Sequence, residues 1–266
     1  MKRIQICADD YGFDDAVSRG ILDCIDAGRI SATSCMVLSP VWADWAGALR
    51  ERSGAADYGL HLDINEFADY APGQGLSAWI RQGYFRQLDR SQLRSWIATQ
   101  LDAFEAQMKR APDYVDGHQH VHQLPQLREE LLRAVTQRYG PRCAVRSTQT
   151  RVWRGSKAAV IAALGSAALR RGARKAGLRA NRDFAGVYGF EATASFSELA
   201  AGWLASLPDG GLMMTHPGQN GATQTRHDPI RAARVREWQF WMGEEAGELL
   251  ASLGVQLGMS EDWPLA

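Results

Sequence analysis

Asp9 and Asp10 are two adjacent carboxylates that close a short apolar run near the start of the chain. Such a pair cannot be buried without a cation or a shared proton. A divalent metal resolves the conflict: one carboxylate ligates it, and the other takes a proton from water activated there. The competing reading is a helix cap, but Asp14 and Asp15 already stand where the next helix begins. Six histidines supply further candidates: His61, His118, His120, His122, His216 and His227. Three of them bunch in Asp116-Gly-His-Gln-His-Val-His122. If that run stays extended, alternate residues share a face and the imidazoles crowd together. Packing explains such crowding poorly, whereas imidazole with carboxylate is ordinary ligation for zinc and similar cations. Not all three need ligate, because groups that orient ligands or touch substrate use the same residue type. His61, in Tyr58-Gly-Leu-His-Leu-Asp63, would alone read as a satisfied core histidine. His216 is held at a strand end by Pro217 and suits either a fourth ligand or a general acid. Arg146 ends another strand-like run, where a guanidinium can hold a carboxylate; a surface arginine is the plain alternative. His227 reads as a loop residue that caps the following helix.

These residues need a frame that brings strand ends together, and the apolar pattern supplies one. Residues 2–8 read as a first strand, followed by a helix capped by Asp14 or Asp15 that runs to about Ala27, with Gly28 at its C-terminal cap. Residues 32–38 and 57–63 read as strands. A helix opens at Ser91, with Leu93, Trp96, Ile97, Leu101, Phe104 and Met108 at helical spacing, and Pro112 ends it. A strand over 114–120, a helix over 126–139, a strand over 143–147 and an Ala/Arg-rich helix over 157–175 follow. Ser195 and Glu198 form a capping pair for a short helix ending near Leu207. Then come a strand over 211–215, one long helix over 231–253 and a last strand over 255–258. Strand and helix alternate throughout, which implies an α/β fold on a mainly parallel sheet, open or closed into a barrel. There is no internal repeat and no linker, so residues 1–266 read as one domain. In such folds sites are built at the carboxyl edge of the sheet, where all the candidates except His227 fall.

Composition narrows the function class. Thirty basic and thirty acidic residues cancel, so overall charge gives no pointer to nucleic acid. The most apolar stretch, residues 158–169, is about half the ~20 residues a spanning helix needs. No signal peptide is read at the N-terminus, and a cytoplasmic location is the expectation. Cys7, Cys24, Cys35 and Cys143 form no CxxC pair and read as buried free thiols rather than disulfides or a thiolate metal site. Residues 131–182 contain no Asp or Glu while Arg and Lys recur. That stretch is either a solvated helical face or a rim that meets a phosphate, an acidic sugar or a membrane surface. The basic helix around Arg170–Lys175, followed by Asn181-Arg-Asp-Phe-Ala-Gly186, suggests a lid over the site. Trp42, Trp45, Trp79, Trp153 and Trp203 are candidate stacking surfaces for sugar rings, with core packing the competing reading.

Together, Ala8-Asp-Asp-Tyr-Gly12, Gly59-Leu-His61, Asp116-Gly-His-Gln-His-Val-His122 and Thr215-His-Pro-Gly218 resemble the YdjC-like carbohydrate deacetylases, which include chitooligosaccharide deacetylases and a hopanoid-associated branch. The segments occur in the family's order over most of the chain; Tyr11 departs from the usual Phe. The resemblance implies a deformed (β/α) TIM-like barrel and one divalent ion, Mg²⁺ or Zn²⁺, held by Asp10, His61 and His118. It implies Asp9 as base, His216 as acid, Arg146 as the arginine that orients Asp9, and His120, His122 and Tyr11 on the substrate side. The implied reaction is removal of an N-acetyl group from an amino sugar, with no nucleic acid or membrane-spanning segment involved and a homodimer left open. Two alternatives stand beside it. A different barrel amidohydrolase or phosphoesterase would usually carry an HxH pair where this chain has Asp-Asp. A non-catalytic, metal-stabilised carbohydrate-binding protein would not need both Asp9 and His216.

Overall fold

Strand β1 (Lys2–Tyr11) sets the plan of the molecule. Ile4, Ile6 and Ala8 pack outward beneath the helices, and Cys7 packs inward with Ala32, Tyr114, Phe184, Leu212 and Met214. A strand apolar on both faces is what a sheet covered on both sides requires. The computed structural model describes residues 1–68, 70, 73–191, 193–221 and 228–266; His227, expected to cap a helix, lies outside them. The further strands are β2 (Ala32–Cys35), β3 (Asp57–Leu62), β4 (Tyr114–Gly117), β5 (Ala144–Val145), β6 (Phe184–Ala185), β7 (Gly211–Thr215) and β8 (Val255–Leu257). They run in the order β5-β4-β3-β2-β1-β7-β6, with every pairing parallel and β8 joined to the first residues of β1. Among the described residues β5 and β6 share no pairing, so the sheet curls into a deformed (β/α) barrel open on that side.

Helices α1 (Asp15–Asp26), α2 (Trp42–Glu51), α3 (Leu76–Tyr84), α4 (Arg90–Met108), α5 (Leu127–Tyr139), α6 (Ser156–Ala163), α7 (Ser166–Lys175), α8 (Phe196–Ser206), α9 (Arg231–Met242) and α10 (Glu244–Ser252) complete the fold. Asp14 caps α1 by accepting from the Val17 N–H at 2.8 Å, and Ser195 caps α8. In α4, Leu93, Ile97, Leu101, Phe104 and Met108 form the buried stripe expected of them.

The departures from the sequence pattern have local causes. The helix expected over 157–175 breaks at Gly165, whose φ of +140° no helix accommodates. The long helix expected over 231–253 breaks at Gly243, which is extended. The strand expected over 114–120 stops at Gly117 and passes into a 3₁₀ turn (His118–Gln123), where Gln119 and His120 take left-handed backbone. Helices α2 and α3, whose N-termini lack side-chain caps, and the two-residue β6 carry too little local signal to be read in advance. All four cysteines are buried and free. Among the described residues no helix is long and apolar enough to cross a membrane.

Candidate active site and metal centre

Strand alternation delivers most of the site. Following Cys7, Asp9 points into the barrel; His61 of β3, Asp116 of β4, Arg146 just after β5 and His216 just after β7 converge on the same end. Asp10 should point the opposite way, but the β1–β2 register shifts between Ala8 and Tyr11, and Asp10 has a φ of +72°. This irregularity aims both carboxylates at one place.

Asp10 is the hub. One oxygen, Oδ1, lies 3.3 Å from His61 Nε2 and 3.1 Å from His118 Nδ1, while Oδ2 accepts from Arg234 Nη2 at 2.7 Å. Burial raises its pKa, but Arg234 and the two histidines outweigh that and hold it well below the usual carboxylate range. His61 Nδ1 meets Asp116 Oδ1 at 2.7 Å. With its one neutral-form proton directed to Asp116, His61 presents a lone pair at Nε2 to Asp10 Oδ1, a contact that requires a proton or metal between the two atoms. Burial disfavours protonated His61, yet Asp116, Asp10 and Asp9 raise its pKa to about 10, so this position draws positive charge. Asp10, His61 and His118 each offer one ligand atom, all within 4.8 Å of one another. A carboxylate and two imidazoles fit a borderline divalent cation. Charge supports the fit: among the described residues four buried carboxylates, Asp9, Asp10, Asp116 and Asp228, meet three guanidiniums, Arg146, Arg234 and the partly buried Arg231, which Asp14 shares.

Asp9 is held differently. Arg146 donates from Nη1 to Asp9 Oδ2 at 2.7 Å and from Nη2 to Asp9 Oδ1 at 2.5 Å, and Nη2 also lies 2.7 Å from Asp116 Oδ2. This buried fork fixes the plane of the carboxylate. Cys7, Asp9 and Asp116 also converge closely enough to suggest a second metal group, but the Arg146 guanidinium already lies among them. Burial pushes the Cys7 thiol up to about 12, so it is not a thiolate.

A cavity of about 790 Å³ opens above this floor, lined by Asp9, Asp10, His61, His118, His120 and His216 among others. The backbone N–H of His216 donates to Glu237 at 2.5 Å, and its ring packs edge-on against Phe190. Burial lowers the His216 pKa, partly offset by Asp10, Glu237 and Asp9. Two expected substrate contacts are absent from the cavity. Tyr11 is buried with its hydroxyl on the Trp45 carbonyl, and His122 lies beneath the site, donating from Nε2 to the Arg146 carbonyl at 3.0 Å. His122 is carried there because the 3₁₀ turn folds back so closely that a Cβ on Gly117 would sit 3.0 Å from its backbone nitrogen. The tryptophans do not line the cavity either: Trp42, Trp79 and Trp203 are core residues. Nor do the basic residues expected to form a lid, over 170–186, line it. The α6 wall presents Val160, Ile161 and Leu164, and Lys157 is engaged with the Tyr188 carbonyl. Arg234, Asp228 and Glu237 escaped sequence reading because they sit in or near a helix whose polar residues look like a solvated face.

A family model described as YdjC-like protein matches residues 3–252. The chain belongs to the YdjC-like family. Among curated relatives of this YdjC-like chain are a carbohydrate deacetylase of Homo sapiens, 30% identical over 154 residues (53% of this chain, 47% of that protein), and a chitooligosaccharide deacetylase of Yersinia pestis, 29% identical over 135 residues (47% and 53%). The alignment thus spans about half the length of those relatives. Among solved structures, a protein of Enterococcus faecalis V583 provisionally described as a cellobiose-phosphate cleavage protein superposes with a TM-score of 0.72 at 19% identity, covering 98% of each chain. A family 4 acetyl xylan esterase from Clostridium thermocellum, solved with a cobalt ion, gives 0.50 at 13% identity, covering 97% of this chain and 88% of the other. These likenesses establish the YdjC-like chain's fold as the deformed barrel.

Proposed function

We propose that this chain is a divalent-metal-dependent carbohydrate deacetylase that removes the acetyl group from the nitrogen of an amino sugar, with residues 1–266 acting as one catalytic domain. The observation that carries this reading is the Asp10–His61–His118 cluster on the floor of a sugar-sized cavity that Asp9 and His216 also line. Family membership and the names of the human and Yersinia relatives support it.

In this reading Asp10, His61 and His118 hold the ion, and their mixed nitrogen and oxygen donors favour zinc, with Mg²⁺ the second candidate. When bound, the ion supplies Lewis acidity, which polarises an amide carbonyl and makes water acidic enough to attack near neutral pH. Asp9, fixed by Arg146, accepts the proton of the attacking water. Burial lowers the His216 pKa, so a proton that the ring takes up from solvent is readily passed to the departing amine, while the proton on Asp9 returns to solvent. Asp116 fixes the His61 ring, and His122 supports Arg146 from below. The apolar α6 wall favours a neutral amino sugar, or one joined to an apolar group, over a phosphorylated one.

The test is acetate release from a panel of N-acetylated sugars by metal-stripped protein, with Zn²⁺, Mg²⁺ or Mn²⁺ added back. Metal-restored release supports the reading, and the ranking of sugars names the substrate class. A stoichiometrically bound metal with no acetate from any sugar would reject it.

A further inference from the structure

Outside the catalytic cavity, arginines from three separate segments meet around a second hollow. Arg151 follows β5, Arg170 lies on α7 and Arg182 precedes β6; with Gln149, Pro264 and Leu265 they line a depression of about 400 Å³. Arg170 is anchored there, its Nη1 donating to the Asn181 carbonyl at 2.6 Å. Burial, and then repulsion from Arg151, Arg174 and Arg182, lowers its pKa. Among the described residues none of these four arginines forms an ion pair with a carboxylate. The nearest acid in sequence, Asp183, is taken up by Arg154 at 2.8 and 3.0 Å and by the backbone N–H groups of Arg151 and Phe184. The acid-free stretch over 131–182 thus becomes, in three dimensions, a hollow lined by like charges.

Convergent guanidiniums without counter-ions are unfavourable until an anion enters, and their forked N–H groups match phosphate oxygens. Apolar groups flank the hollow: Leu265, 67% exposed, forms part of its wall, and Trp153, 77% exposed, stands two residues beyond Arg151. Basic residues beside exposed aromatic and aliphatic ones are the composition that anionic lipid surfaces attract. We propose that this hollow binds a phosphoryl group, either as soluble phosphate or as the headgroup of an anionic lipid.

Two probes used on the full chain separate those sources: inorganic phosphate followed by calorimetry, and co-sedimentation with vesicles of phosphatidylcholine with or without phosphatidylglycerol. The variant is Arg151→Gln/Arg182→Gln. Both side chains are exposed and no fold contact depends on their charge, so its melting temperature and its acetate release, where wild type shows any, should be unchanged. Wild type should bind at least one probe, and the variant about ten-fold more weakly or worse. Binding of phosphatidylglycerol vesicles without free phosphate assigns the headgroup, and binding of phosphate without vesicles assigns a soluble ligand. If the double variant loses thermal stability, Arg151→Gln alone, in a surface loop, should still weaken binding. The proposal fails if wild type binds neither millimolar phosphate nor anionic vesicles, or if the variants bind as tightly as wild type.

Discussion

Asp10 is placed among His61, His118 and Arg234, whereas Asp9, its neighbour in the chain, sees chiefly Arg146. The difference separates a residue suited to ligation from one suited to proton transfer. Asp9→Asn should therefore keep its metal, as elemental analysis would show, while acetate release falls by about 100-fold or more, the usual cost of losing a general base. Near wild-type turnover in that variant would remove Asp9 from the mechanism. Arg234 makes a different prediction. It is buried between Asp10 and Asp228, at 2.7 and 2.9 Å, and removing it takes the guanidinium from buried Asp10 and leaves Asp228 to the more distant Arg231 at 3.4 Å. Arg234→Met should destabilise the metal-stripped protein by about 3–5 kcal/mol in urea unfolding, and Arg234→Lys by less. An unchanged midpoint would show that water or movement compensates the pair.

Among the elements, the decisive features are irregularities. The shifted register at the end of β1 turns Asp10 inward, and the 3₁₀ turn after β4 places His118 and His120 at the cavity but sends His122 beneath it. The expectation that His118, His120 and His122 would share a strand face failed because the left-handed backbone at Gln119 and His120 destroys the two-residue period. Gly165 does comparable work between α6 and α7. Its φ is +140°, and a Cβ there would lie 2.2 Å from the Gln123 carbonyl oxygen. Gly165→Ala should cost about 1–3 kcal/mol from backbone strain alone, with displacement of the α6 wall adding to it. A thermal melt would detect this loss, and an unshifted melting temperature would mean that the α6–α7 corner relaxes freely.

For the molecule as a whole, the two ends of the barrel carry opposite electrostatic designs. At the catalytic end, against the cost of their burial, Asp10 is held ionised chiefly by Arg234 and Asp116 chiefly by Arg146. At the other end Asp57, the first residue of β3, has its pKa raised to about 6 by burial and then by Asp113, with the Ser260 hydrogen bonds and Arg110 opposing. The sign follows from proton uptake: between the ordinary carboxylate range and about pH 6 the folded state binds more protons here than the unfolded chain, so this group's contribution to stability falls as pH rises through that window. Asp57→Asn can keep accepting from Gln5 and the Ser260 N–H, and it removes the titration. Relative to wild type it should gain stability as pH rises from about 4 to 7, by on the order of 2–3 kcal/mol in urea unfolding. A stability difference independent of pH would show that Asp57 does not titrate in this window.

The same contrast between regular and irregular backbone divides what was legible along the chain from what was not. The alternation of strand and helix announces a parallel α/β sheet, and the two-residue strand period, set by covalent geometry, already points Asp9, His61, Arg146 and His216 to one interior edge. Strand ends bring Asp10 and His118 to the same edge, and motif resemblance adds their roles as ligands, but neither shows how their side chains reach one point. Their placement depends on a positive φ and on a turn beyond a strand's end, which periodicity does not encode. Arg234 meets Asp10 across 224 residues of sequence, a contact that exists only once α9 has packed over the curled sheet. The exclusion of Tyr11 and His122 from the cavity has the same origin: a residue type suited to substrate contact acquires its role only when packing decides which of its sides is left open to the cavity.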